Sequence, residues 1–311
     1  MTILKVNAAN LASVSSALHN NGKCGNPLKN AENALHMKIV CLKGGLGNQL
    51  FEYCRYHQLL EEGHERTYLF YDPRRLKSHG RALLTDGFDV QLPSTPFWVQ
   101  LLVHGIKLLR ELHVFPRLYD DQRPDCLLID DYSQDRRFIK DAKRWLPFRT
   151  FSLSHATQHL KEQIEATPQS VALHVRRGDY LHPTNLPHFG LCPLDYYQQA
   201  MAYIRRQYPE TTFFIFSDDV KWAEQNLQDE NAVFVHPQPN ESDVIDLYLM
   251  SLCRHHILAN STFSFWAAWL SLNDGINIYP SRWFADSTWH IPDIFPAHWI
   301  GLNTPLLTTL Q

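Results

Sequence analysis

The chain has 311 residues, 44% hydrophobic and 20% charged, ordinary usage for a folded protein that excludes collagen-like, low-complexity and disulfide-scaffold classes. Lys+Arg 29 against Asp+Glu 32 leaves a formal net charge of −3, so no global positive field attracts nucleic acid and any polyanion must be met locally. At this length one large or two medium domains are expected.

Residues 1–36 hold seven asparagines and no continuous apolar segment, so they read as a poorly ordered extension and not as a signal peptide. Strong periodicity begins at Met37, a second candidate start. The run Met37 to Leu42 predicts a strand that ends in the glycine turn Gly44-Gly45-Leu46-Gly47-Asn48-Gln49, and Leu50, Phe51 and Cys54 then share one face of a helix running to Leu60. Thr67 to Tyr71 predicts a second strand. Between Asp72 and Pro147 the pattern is irregular apart from an apolar segment, Phe97 to Leu112. The stretch from Phe97 to Leu109 is interrupted by Gln100, His104 and Lys107; a buried helix is its first reading and an interfacial helix its second. No segment reaches the ~18 uninterrupted apolar residues of a membrane span.

The second half is more regular. Strands at Val171 to Val175, Thr212 to Phe216, Ala232 to His236, His256 to Ala259 and Ile276 to Tyr279 alternate with helices at about Asp195 to Gln207, Val220 to Leu227, Asp243 to Arg254 and Phe263 to Leu272. Strand–helix alternation predicts a parallel sheet covered by helices. Two α/β halves facing a cleft follow, divided in the polar stretch between Pro147 and Pro168. The expected units are 1–36, 37–155 and 156–311. The six cysteines form no C-x-x-C pair and read as thiols.

Four segments carry chemistry. In the glycine turn, backbone N–H groups at a helix start can approach an anion, and Asn48 and Gln49 add amides; the third glycine of a dinucleotide fingerprint is absent because Leu50 holds that place. The segment His174-Val175-Arg176-Arg177-Gly178-Asp179-Tyr180 lies at a strand's carboxyl end, where open α/β sheets bind ligands, and alternation puts His174 and Arg176 on one side. Arginine's planar fork matches two phosphate oxygens. Here the bland alternative is an ion pair of Arg177 with Asp179; the tripeptide Arg177-Gly178-Asp179 as an adhesion signal is discounted as chance. Ser217-Asp218-Asp219 is either a helix cap or a carboxylate for a base or ribose. Asn260-Ser261-Thr262-Phe263 offers hydroxyls at a helix N-terminus. His155 and His159 have i, i+4 spacing but no third metal ligand is evident, and no metal or other cofactor is expected.

Together these segments resemble the α-1,2-fucosyltransferases of glycosyltransferase family 11, through Gly44 to Tyr53, His174 to Tyr180, Phe216 to Asp219 and Asp246 to Leu270. The resemblance implies a GT-B-like architecture of two Rossmann-like halves, GDP-fucose as donor, a galactose-terminated glycan as acceptor, inversion at the anomeric carbon and no metal. Carried over by position, it implies that Arg176 holds the β-phosphate, that His174 neighbours the guanine or ribose, and that Asp218 or Asp219 recognises the base. Ser261 and Thr262 are implied phosphate contacts with Phe263 beside them, and Gly45, Gly47 and Asn48 close on the pyrophosphate. Arg177 and Asp179 complete the implied donor motif. Neither motif nor spacing identifies a base for the acceptor hydroxyl; Asp72 is the first candidate and Glu52 the second. Animal members carry a membrane anchor that this sequence lacks, so a bacterial cytoplasmic enzyme is implied, in peripheral contact with the inner membrane through lipid-linked acceptors. The alternatives are an α-1,6- or protein O-fucosyltransferase, or a non-catalytic GDP-sugar or glycan-binding protein.

Overall fold

The computed structural model describes residues 37–72, 82–121, 123, 125–238 and 241–309; the expectation for residues 1–36 lies outside them. The first lobe is built on a parallel sheet of order β2-β1-β3, with β1 at Lys38–Cys41, β2 at Thr67–Phe70 and β3 at Leu128–Ile129. Helix α1 (Leu46–Glu61) follows the glycine turn and α2 (Phe97–Glu111) covers the sheet. All four residues of β1 are buried, as the continuous apolar run required for a central strand with both faces covered.

The second lobe holds a six-stranded parallel sheet. After helix α3 (His155–Ala166) come β4 (Ser170–Val175), α4 (Leu194–Gln207), β5 (Thr212–Ser217), α5 (Val220–Asn226) and β6 (Ala232–Phe234). Helix α6 (Asp243–Leu252), β7 (His255–Ile257), α7 (Thr262–Leu270), β8 (Asn277–Pro280) and β9 (Ile300–Leu302) complete it. The order β6-β5-β4-β7-β8-β9 is doubly wound, and the direction of winding reverses between β4 and β7. That reversal leaves a crevice outside the strand ends, where α/β proteins bind ligands. The architecture is therefore the expected pair of Rossmann-like halves on either side of a cleft.

Two features go unmarked in the sequence, and one local expectation is corrected. The polar stretch between Pro147 and Pro168 contains α3, whose N-terminus is capped by Ser154 accepting from the Thr157 N–H and whose Ile164 is buried. Strands β3 and β9 escape sequence patterning because runs of two and three residues are too short to show a period. Helix α2 is not a buried helix: only Val99, Val103 and Ile106 among its residues are fully buried, while Phe97, Leu101 and Leu108 face outward.

One core runs through both lobes. Phe51 of α1 stacks on Phe265 of α7 at 5.3 Å and meets Trp266 at 4.7 Å, all three fully buried. The indole N–H of Trp266 donates to the Gly47 carbonyl at 2.7 Å, which fixes the glycine turn onto the second lobe. The five cysteines among the described residues are buried free thiols.

Candidate active-site cleft

A cleft of about 1080 Å³ opens between the lobes, ample for a ligand of nucleotide-sugar size given that small-molecule pockets run to roughly 1,000 Å³. Its floor is the start of α1 meeting the start of α7. Gly45 is the N-cap of α1 and offers no side-chain cap, and no acidic residue occupies the first turn, so the N–H groups of Leu46 and Gly47 are left for a partner outside the helix. Gly44 has φ +75°, the left-handed geometry that turns the chain out of β1. Gly47 is glycine for another reason: a Cβ there would lie 2.4 Å from Thr262 Oγ1 and 2.8 Å from the Thr262 backbone carbon. At Gly45 a Cβ would meet nothing within 4 Å and φ is −74°, so neither packing nor backbone geometry requires the glycine. Ser261 caps α7 by accepting from the Phe263 N–H at 3.3 Å. Asn48 Oδ1 accepts from Gln134 Nε2 at 2.9 Å and from the Thr262 hydroxyl at 3.5 Å, bridging the two helix starts.

On the second-lobe wall, Arg176 leaves the end of β4. Its guanidinium is held by Asp179 at 2.6 Å and Asp218 at 3.0 Å, and lies over the Tyr180 ring at 5.5 Å. Burial opposes the charge of Arg176, but the two carboxylates outweigh it and raise its pKa. Two of its five N–H groups are engaged in this way, and the clamp fixes the fork at the crevice. Gly178 permits the clamp, since a Cβ there would sit 2.5 Å from Asp218 Oδ2. His174, two residues earlier on the same side of β4, is buried against Phe263, and burial together with the Arg176 charge lowers its pKa to about 3. It is a neutral imidazole at physiological pH, and its Nδ1 has no partner among the described residues.

Gly45, Gly47, Asn48, His174, Arg176, Asp179, Asp218, Ser261, Thr262 and Phe263 thus all line one cleft. Other sequence candidates fall outside it. Arg177 pairs with Asp219 at 3.0 Å and stacks over Trp222 at 4.3 Å, while Asp219 caps α5 by accepting from the Trp222 N–H; this pair builds the wall from behind. Asp218 faces the cleft but is committed to Arg176 and to the Arg177 N–H. Gln49 is fully buried and its amide ties Gly44 and Ala82 to Leu84. Asp72 follows β2, the strand on the far side of β1 from β3, so its position does not line the cleft. Glu52 is fully buried beneath the turn, accepting from the Lys43 N–H at 2.7 Å, and burial raises its pKa well above the usual range. No first-lobe carboxylate among the described residues lines the cleft.

Comparison with known proteins agrees with this geometry. The sequence profile described as Glycosyl transferase family 11 matches residues 150–303. The O-antigen biosynthesis glycosyltransferase WbnK of Escherichia coli is 30% identical over 286 residues, covering 79% of this chain and 94% of that protein. The chain belongs to glycosyl transferase family 11. An α-1,2-colitosyltransferase of Escherichia coli is 27% identical, covering 85% of this chain and 98% of its own. Galactoside α-(1,2)-fucosyltransferase 1 of Bos taurus is 29% identical over 150 residues, 44% of this chain and 39% of that protein.

This glycosyltransferase lines its cleft with further residues that sequence reasoning missed. Asp246, one turn into α6, lines the cleft; burial, with Asp243 and Glu241 nearby, raises its pKa to about 7. A second carboxylate, one turn past Asp243 and set among Val244, Ile245, Leu247, Leu249 and Met250, was the available signal, because a charge on an apolar stretch needs a partner or a function. Tyr132 and Gln134 bring the first lobe's contribution after β3, a strand with no legible pattern.

Proposed function

We propose that this family 11 enzyme transfers fucose from GDP-fucose to the 2-hydroxyl of a terminal galactose with inversion. The observation that carries the donor assignment is the clamped Arg176, at the sheet's reversal point, in one cleft with the uncapped start of α1. As the fucosyl–oxygen bond breaks, negative charge accumulates on the leaving diphosphate. Fixed N–H donors and a permanent cation stabilise it most where they need no rearrangement. Arg176 supplies the cation, and the N–H groups of Leu46 and Gly47, with the macrodipole of α1, supply the remainder.

Asp246 replaces Asp218 as the carboxylate for the base, since Asp218 is engaged by Arg176. An ionised carboxylate accepts two N–H bonds from the guanine edge, which no other common base offers together. The bovine relative named as a galactoside α-(1,2)-fucosyltransferase supports the linkage and acceptor. The relative named as an α-1,2-colitosyltransferase favours a second reading, in which the same cleft transfers colitose.

The test is GDP release from GDP-fucose in EDTA, with and without lactose or N-acetyllactosamine, followed by linkage analysis, with a nucleotide-activated colitose as a parallel donor. Acceptor-dependent release giving an α-1,2-fucosyl product is expected. Turnover of the colitosyl donor alone establishes the second reading, and absence of GDP-fucose binding refutes the donor site.

A further inference from the structure

The donor assignment leaves one wall of the cleft without a role. Helix α6, which carries Asp246, covers the sheet face of Ala172, Phe214 and Phe216. Helix α4 covers the opposite face, of Val171, Leu173, Phe213 and Ile215, and the loop after β8 packs on that side through Ala285. Arg176 leaves the end of β4 between the two. A nucleotide whose base meets Asp246 and whose diphosphate meets Arg176 therefore points the group it carries toward the loops on the α4 side.

That side is aromatic. Arg176 lies over Tyr180, Tyr180 stacks on Phe189 at 4.8 Å, and Phe189 meets Trp289 edge to face at 5.5 Å, so a run of rings lining the cleft leads outward from the guanidinium. Phe284 also meets Trp289, at 5.1 Å. Of the eleven exposed large hydrophobic residues among those described, Tyr132 and Trp289 are the two that line the cleft. Tyr132 lies against the glycine turn, 3.2 Å from where a Cβ on Gly44 would stand. Trp289, 41% exposed, ends the run of rings, and the donor has no use for it.

The loop holds this indole in a fixed position. His188 stacks on it at 5.4 Å with the ring planes 7° apart, and donates from Nδ1 to Asp286 at 2.9 Å. Asp286 in turn accepts from the Thr288 N–H and hydroxyl, at 3.0 and 2.7 Å, and the N–H groups of Ala285 and Asp286 both donate to the His188 carbonyl. A ring kept exposed yet braced on several sides is preorganised for a flat apolar surface. A pyranose offers one: its hydroxyls lie at the rim and its C–H bonds on the faces, and in galactose the axial O4 leaves the hydrogens of C3, C4 and C5 together on one face. We propose that Trp289, braced by Phe189 and Phe284, is the platform on which the terminal sugar of the acceptor stacks, presenting its hydroxyl to the group carried at Arg176. This rests on the donor and acceptor reading above and adds the residue that selects the acceptor.

The test compares the full-length wild type with Trp289→Ala and Trp289→Phe, by initial rates with GDP-fucose and lactose and by saturation-transfer NMR of lactose on the GDP-loaded protein. In Trp289→Ala, kcat/KM for lactose is expected to fall roughly tenfold or more, while the dissociation constant of GDP-fucose and the melting temperature stay at their wild-type values. Trp289→Phe keeps a ring and should recover most of the loss. Saturation should reach the galactose protons H3, H4 and H5 in the wild type and disappear in the alanine variant. An unchanged kcat/KM in Trp289→Ala overturns the proposal, as does a matching rise in the dissociation constant of GDP-fucose, which would set the rings against the donor sugar instead. Should the wild type turn over a glucoside or an N-acetylhexosaminide in place of lactose, the galactose reading fails and the same comparison with that acceptor decides the platform. A wild type that binds GDP-fucose but shows saturation transfer to none of these glycosides overturns the platform and leaves the donor site standing.

Discussion

Replacing Gly47 by alanine tests whether the two lobes are joined through the glycine turn. Gly47 lies within the first turn of α1, where alanine is intrinsically favoured by about 1 kcal/mol. Against that, the new Cβ would meet Thr262 Oγ1 at 2.4 Å and the Thr262 backbone carbon at 2.8 Å. A hydroxyl can rotate away, but the backbone carbon is fixed by the start of α7, so relief requires that α1 and α7 separate. Overpacking of this kind costs roughly 1–3 kcal/mol, and the separation also strains the bond from Trp266 to the Gly47 carbonyl. The net destabilisation is about 1–2 kcal/mol, a melting temperature roughly 2–3 °C lower at this chain length. Thermal unfolding followed by circular dichroism reads it directly. Gly45→Ala is the control two residues away: nothing lies within 4 Å, so its melting temperature should match the wild type while its rate falls if substrate approaches that backbone. A Gly47→Ala protein that melts at or above the wild type would refute the close-approach argument.

Arg176→Lys keeps a charge but loses the fork between Asp179 and Asp218; with GDP-fucose its turnover should fall at least about a hundredfold, and initial rates above a tenth of wild type would contradict the role of the clamp. Asp246 has a pKa raised to about 7 and binds guanine as the anion, so affinity for GDP-fucose, whose diphosphate diester does not titrate in this range, should weaken as pH falls below 7. The raised pKa also means that the free protein loses stability from this group as pH rises from about 4 to 7; Asp246→Asn should flatten both profiles, measured by calorimetric titration and by melting. Asp219→Ala removes the cap of α5 and the partner of Arg177 and should cost about 1–2 kcal/mol of stability with turnover largely retained; a loss of turnover matching Arg176→Lys would return Asp219 to the cleft.

The sequence by itself determined the doubly wound lobe and much of its crevice. Strands β4 and β5, and Ile257-Leu258-Ala259 at the end of β7, are apolar runs with polar residues massed at their carboxyl ends, and because parallel strands share one direction, those ends must gather at one edge. His174, Arg176, Ser261 and Thr262 were legible for that reason. The glycine turn was legible as a turn, but not the two causes behind its glycines: positive φ at Gly44 and the approach of Thr262, 215 residues away, at Gly47. Only the tertiary structure decided which carboxylates each arginine meets. Arg176 and Arg177 are adjacent and chemically identical, yet the turn after β4 sends one to Asp179 and Asp218 and the other behind the wall to Asp219 and Trp222. Likewise Asp246 becomes a cleft carboxylate, and α2 an exposed apolar face, through packing against elements far along the chain. Local pattern records the period of a helix or strand; which side of it another element covers is settled only when the chain has folded around it.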